Sequence, residues 1–410
     1  MTGIEEIFLV IGAIIFMGFI ADIVFSKFKI SSVILLMFLG FLIGPLLGIV
    51  DVSEGEIIKE IYPIVGALAF ILILFDAGTK TNVIRLIKTA PKSTAFTIFV
   101  FVVTVFSLGF FLKYIAGMNI LSGLLLGAIV GGISSPIVIS LVDKLPVSAK
   151  VKDSLILEST LTDVLCVLTS VLILKIIIGG GTDFAVNSIT TFFVSTFSVS
   201  IVLGIAAGAI WIFILSKMPK NSFFYMLTLA ILFFLYSITE YNGGNGAIAV
   251  FVFGLLMGHM EEINALINFD NDRKVDKKFL LFQDEVTFFV RTFFFVYIGL
   301  LLSVKYVNFI TIYFSLLVLA IAVVARSIGS FIIFKDCDSK EKIILNSMIP
   351  RGLAAAVLVT YVGGDVMIMY LEEIVFMVIL VTNIFPSLMV YLLDSKFLNI
   401  DSSEETEQEI

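Results

Sequence analysis

Apolar runs long enough to cross a bilayer, each closed by a short polar stretch, follow one another along the whole chain. Thirteen are marked, at 5–25, 31–50, 62–79, 94–116, 120–142, 154–177, 186–216, 222–239, 244–260, 285–303, 307–334, 343–363 and 367–394. Runs of about 20 apolar residues are the signature of transmembrane helices. The first begins at once, without a basic leader or a small-residue cleavage site, and reads as a spanning helix rather than a removed signal. The longest polar stretch, 261–280, contains "FDNDRKVDKK" and reads as a cytoplasmic connector into an amphipathic approach to the tenth span.

Two spans are poor continuous helices. "LLLGAIVGGISSPIVISLV" carries Gly131, Gly132 and Pro136 at mid-membrane, and "NSMIPRGLAAAVLV" carries Pro350 and Gly352. Proline removes a backbone donor and glycine weakens the helix. Either interruption alone reads equally well as a plain kink. Their positions change the reading: the first lies in the fifth of spans 1–6, the second in the fifth of spans 8–13. Matched breaks in two six-helix halves point to a transporter built as an inverted repeat with a site at the midplane. The expectation is an all-α integral membrane protein with about 13 transmembrane helices, of which 5 and 12 are broken. Residues 1–180 form the first repeat, 181–220 a linker helix, 221–396 the second repeat and 397–410 a short cytoplasmic tail.

Composition supports this class. Of 410 residues, 60% are hydrophobic and 14% charged, too few to coat soluble domains of that length. The net charge of −7 argues against nucleic acid as a partner and leaves lipid as the surroundings. Two cysteines make no disulfide framework, and one histidine makes no metal cluster. Lysine and arginine set the orientation. Of 26, 19 fall in the loops after odd-numbered spans and in the tail, 4 on the opposite side and 3 inside spans. Cytoplasmic loops carry the positive excess, so the N-terminus is expected outside and the C-terminus in the cytoplasm.

Charges inside spans are costly and mark function or pairing. The sixth span, "LILESTLTDVLCVLTSVLIL", holds two carboxylates. Ser159 and Asp163 lie at i and i+4 on one face, and Glu158 and Thr162 on the adjacent stripe. A hydroxyl beside a carboxylate is an oxygen-only partial site that suits a hard cation or a proton. A structural carboxylate satisfied by a nearby donor is the other reading of Asp163. Arg326, deep in "LVLAIAVVARSIGSF", needs an anion, and Glu158 is the natural partner. Arg351 follows Pro350 at the second break, placed to meet freed carbonyls, or else to reach the aqueous boundary as a helix-end arginine. Asp76 ends "ALAFILILFDAGTK" near the cytoplasm, either lining an ion path or as a solvated helix end. Arg291 reads as paired with Asp284 or Glu285, or snorkelling. Glu372 and Glu373 read as boundary residues.

With those segments in view, the chain resembles the monovalent cation:proton antiporter superfamily, in particular its NhaP-type sodium/proton antiporters. "ESTLTD" is similar to the family's Glu-Ser-x-x-Asn-Asp motif on the sixth helix, and "GGISSP" to the unwound stretch of the fifth. "VARSIGSF" resembles the helix-eleven arginine segment, and "PRGLAAAV" the unwound twelfth helix. "FFFVYIGL" and "FDAGTK" also fall where family segments fall. The resemblance implies that Asp163 binds the ion and the proton. It implies that Ser159 and the backbone near Ser134 add oxygen ligands to Na+, that Glu158 pairs with Arg326, and that Arg351 holds the broken helix. Asp76 stands where many relatives have glutamate at the cytoplasmic funnel. Thr162 stands where the family carries Asn or Asp, and Ser135 where many relatives carry Asp, so both bear on selectivity and rate. The chain ends soon after its last span, without room for the nucleotide-binding domain of Kef-type relatives.

The expected function is exchange of a monovalent cation, Na+ or Li+, for H+ by competition at Asp163. Loaded with either ion, the site is near neutral and can move; empty, it carries an unpaired charge and should not. One titrating carboxylate implies an electroneutral one-for-one exchange. Fold analogy implies a core domain moving against a dimerisation domain, a homodimer and a plasma-membrane location. No cofactor is expected beyond the transported Na+ and H+. Potassium/proton exchange, a channel, and a sodium-coupled organic-anion symporter are the alternatives. An enzyme is not expected, since no nucleophile–base set or phosphate loop is present.

Overall fold

The computed structural model describes residues 4–28, 32–48, 56–81, 91–115, 117–142, 145, 147–179, 186–217, 224–260, 277–301, 309–363 and 371–407. The connector at 261–276 and the side chains of Pro136 and Asp284 lie outside the described residues. Fifteen α-helices are described. They are α1 (Ile4–Phe28), α2 (Ser32–Phe41), α3 (Glu56–Lys80), α4 (Pro91–Ile115), α5 (Ile120–Val130), α6 (Ser135–Val142), α7 (Ala149–Ile178) and α8 (Val186–Lys217). Then follow α9 (Phe224–Tyr241), α10 (Gly246–Gly258), α11 (Lys277–Leu301), α12 (Phe309–Ile333), α13 (Ser339–Ser347), α14 (Leu353–Gly363) and α15 (Leu371–Glu407). A π-helical turn, Leu42–Leu46, continues α2 around Pro45.

The helices reproduce the thirteen apolar runs, because the fifth run divides into α5 and α6 and the twelfth into α13 and α14. Among the described residues, six helices are individually long and apolar enough to cross a membrane. The ninth run is shorter as a helix than as a pattern. Asn245 caps α10, its side chain accepting from Ile248 N at 3.1 Å, and the helix ends at Gly258. Its 13 residues rise roughly 20 Å, less than a hydrocarbon core.

The two halves pack through equivalent pairs. α2 lies on α11 and α10 on α3, the same pairing in each half because α10 and α11 stand seven spans after α2 and α3. An odd offset reverses the direction of each equivalent helix, which makes the repeat inverted. Both crossings use glycine. A Cβ at Gly40 would strike the Val296 carbonyl and come within 2.9 Å of Gly299 Cα; one at Gly254 would meet the Phe75 carbonyl at 2.6 Å and Gly78 Cα at 3.3 Å. Small residues let backbones touch where lipid offers no hydrophobic drive for association. α4 packs on α5, α7 and α12, and α12 on α15, so α4–α7 and α12–α15 enclose the two breaks.

Candidate functional site

Both breaks leave helix ends in the protein interior, so their backbone polar groups need partners. Residues 131–134 separate α5 from α6, and 348–352 separate α13 from α14. The two stretches cross in contact. Ser134 N donates to the Pro350 carbonyl at 2.7 Å, and the Arg351 guanidinium donates through Nη1 to the Gly132 carbonyl. At Gly352 a Cβ would run into the Ser134 side chain, so only glycine admits this crossing.

Two intact helices hold the crossing from either side. On α7, Thr162 Oγ1 accepts from Ile133 N at 3.1 Å and donates to the Ser159 carbonyl at 3.2 Å. On α15, Thr382 Oγ1 accepts from Arg351 N at 3.2 Å, and Asn383 Nδ2 donates to the Arg351 carbonyl at 2.7 Å. Arg351, Thr382 and Asn383 are all buried. Thr382 and Asn383 were missed in the sequence. Their signal was a lone polar pair in an apolar run, placed after the second break as Thr162–Asp163 is placed after the first.

Asp163 lies at this crossing and is partly exposed. Ser135, at the start of α6, donates its hydroxyl to Asp163 Oδ2 at 3.1 Å. The direct hydroxyl contact is thus from Ser135, while Ser134 is engaged by its backbone with Pro350. The Ser159 hydroxyl is buried and donates to the Ile156 carbonyl of its own helix at 2.9 Å. Thr162 holds the first break rather than standing open beside Asp163.

Glu158 and Arg326 form a two-pronged pair. Nη1 meets Oε1, and Nη2 donates to Oε2 at 3.0 Å. Arg326 Nε donates to the Leu345 carbonyl at 2.8 Å, and the guanidinium lies 5.4 Å from the centre of the Phe96 ring. Both residues are 1% exposed. The pair therefore joins α7, α12 and α13 in one buried unit, with the fork geometry that suits Arg to carboxylate.

Asp76 is ion-paired with Lys80 one helical turn on at 2.8 Å. Arg291 stacks over Phe288, its guanidinium carbon 5.9 Å from the ring centre. Glu372 and Glu373 occupy the first turn of α15. Outside the spans, Asp336 bonds Lys92 at 2.8 Å and lies 3.7 Å from Lys150, tying together the ends of α4, α7 and α12 on one side of the molecule. The Lys92 ammonium holds the Asp336 carboxyl below the usual range and is itself raised. Exposed pairs of this kind add little stability.

In chemical terms, the crossing offers the Asp163 carboxylate, adjacent hydroxyl oxygens and two opposed helix breaks, with Arg326 paired to Glu158 and Arg351 donating to the Gly132 carbonyl. Such a set can hold a desolvated monovalent cation or a proton, but not both at one carboxylate.

A family model described as sodium/hydrogen exchanger, transmembrane, matches residues 11–393. The probable Na(+)/H(+) antiporter 2 of Methanocaldococcus jannaschii is 26% identical over 355 residues, covering 83% of this chain and 81% of its own length. The K(+)/H(+) antiporter NhaP of Alkalimonas amylolytica is 28% identical over 267 residues, covering 63% of this chain. The match spans 45% of the length of that relative. In fold, the chain is similar to the sodium proton antiporter MjNhaP1 of Methanocaldococcus jannaschii. The TM-score is 0.75 at 22% identity, over 93% of this chain and 97% of that one.

Proposed function

Because this chain belongs to the sodium/hydrogen exchanger family, we propose that it is a secondary transporter that exchanges one monovalent cation for one proton by competition at Asp163. The observation that carries the reading is the different fate of the two carboxylates of α7. Glu158 is consumed by Arg326, whereas Asp163 keeps a partly exposed carboxylate whose hydrogen bond among the described residues is to the Ser135 hydroxyl. The first is structural, the second exchangeable.

Ser135 and Ser159 complete an oxygen-lined site for a cation that sheds part of its water. Thr162 carries no charge, so a single carboxylate titrates and the exchange is electroneutral. Arg351, together with Pro136 in the first turn of α6 and Pro350 in the second break, supports the breaks. Asp76, near the cytoplasmic end of α3, lines the inner approach to the site. The unit of α4–α7 and α12–α15 carries the ion and moves against α1–α3 and α8–α11. The exposed apolar faces of α1 and α8 meet lipid and a second copy of the chain in a homodimer. The lysine and arginine bias supports an N-terminus outside, and the plasma membrane is the proposed location.

The relatives' names include both sodium and potassium exchangers, and sodium is the cation proposed here. The test is cation-induced proton release from proteoliposomes, with sodium, lithium and potassium compared across pH. The reading expects saturable release with sodium, and a response to potassium alone would move it to potassium/proton exchange. Proton movement without any cation dependence, or single-channel current, would overturn it.

A further inference from the structure

The two breaks are held in matching ways, each giving a carbonyl to a donor of the other and an N–H to a threonine hydroxyl, although one carbonyl meets a guanidinium and the other a backbone N–H. Gly132 O accepts from Arg351 Nη1, while Pro350 O accepts from Ser134 N. Ile133 N donates to Thr162 Oγ1, while Arg351 N donates to Thr382 Oγ1. Gly132 thus corresponds to Pro350, Ile133 to Arg351 and Thr162 to Thr382. The next residue on each intact helix breaks the symmetry: Asp163 on α7 and Asn383 on α15. A carboxylate cannot donate to a carbonyl, so Asp163 turns to the Ser135 hydroxyl. An amide can, and Asn383 Nδ2 donates to the Arg351 and Ile379 carbonyls, both at 2.7 Å.

We infer that Thr382 and Asn383 are the second half's counterpart of Thr162–Asp163, turned from ion binding to positioning. They grip the single residue Arg351 by both its N–H and its carbonyl. The inference rests on the reading of Asp163 as the ion site. Neither residue touches the cation. They aim the Arg351 guanidinium at Gly132 O, which sets the path of residues 131–134 and hence the hydroxyl of Ser135 on Asp163. Cation affinity, rather than turnover, is what their loss lowers. A buried amide also places no second titrating group at the crossing.

Thr382→Val and Asn383→Leu keep the branching and heavy-atom count of the side chains and remove the bonds. In proteoliposomes, each is expected to raise the half-saturating sodium concentration roughly five- to tenfold, the scale of one lost buried hydrogen bond, with a near-normal maximal rate. Thr382→Ser, which keeps the hydroxyl, is expected to behave as the parent. The double variant is expected to fall short of the product of the singles, since both act on the single residue Arg351. Sodium-induced gain in melting temperature in detergent supplies the same comparison for any variant that transports too slowly to titrate. Unchanged half-saturation with a lowered melting temperature or maximal rate would overturn the inference and leave a packing role. Asp163→Asn, measured alongside, separates the two failures. If it keeps exchange, the ion-site reading falls; if it abolishes exchange while Thr382→Val and Asn383→Leu leave affinity intact, only the positioning role falls.

Discussion

Glu158 gives both carboxylate oxygens to Arg326, five residues before Asp163 on the same helix. The contact reaches 168 residues along the chain and ties α7 to α12. A charge that is costly alone in hydrocarbon is neutralised in place, and under the proposed function the neighbouring Asp163 is the carboxylate that exchanges.

Breaking that pair from one side strands a buried charge. Glu158→Ala and Arg326→Ala are each expected to lose about 3–5 kcal/mol of stability. Removing both is expected to cost less than the sum of the singles. Melting curves in detergent for both singles and the double decide it, and additive losses would show that the contact contributes no coupling.

Asp163→Asn keeps the shape and the Ser135 contact but can neither ionise nor hold a cation. Exchange is expected to disappear while insertion and melting temperature stay near the parent. Sodium-driven proton flux above empty liposomes in this variant would remove Asp163 from the mechanism.

Charge balance follows from Thr162, whose hydroxyl is engaged with Ile133 N and does not titrate in the working range. One net charge moved per cycle would couple to about 2.3 kcal/mol per 100 mV. Flux is therefore expected to be unchanged when a potassium–valinomycin potential is imposed or clamped, and a steep response would mean that a second group titrates. Thr162→Asp is the companion variant: it keeps an oxygen for Ile133 N, adds a carboxyl, and is expected to gain potential dependence.

The glycine crossings carry a packing prediction. Gly40→Val and Gly254→Val force side-chain atoms into the facing backbone and are expected to destabilise by about 1–3 kcal/mol each. Gly12→Ala, where a Cβ meets nothing within 4 Å, is the control expected to leave melting unchanged. Equal melting for all three would mean that the crossings are loose.

The sequence by itself determined the number and order of the spans, because burial in lipid demands length and apolarity in a contiguous run, both local properties. It also located the two breaks, since Gly131–Gly132, Pro136, Pro350 and Gly352 act on their own backbone. Glu158 and Arg326 could be matched by elimination, as few charges stand inside spans. Asp76 was legible only as an acid near a helix end, and its bond to Lys80 came from the fold. Only the tertiary structure decided how the breaks meet. That Ser134 N reaches the Pro350 carbonyl, that Ser135 rather than Ser134 gives its hydroxyl to Asp163, and that Thr382 and Asn383 grip Arg351 depend on backbone paths more than two hundred residues apart for the first contact. Helix periodicity places side chains on one helix's faces. It carries no information about which orphaned carbonyl of another helix they will meet, because that is set by how closely the backbones of the two halves can approach.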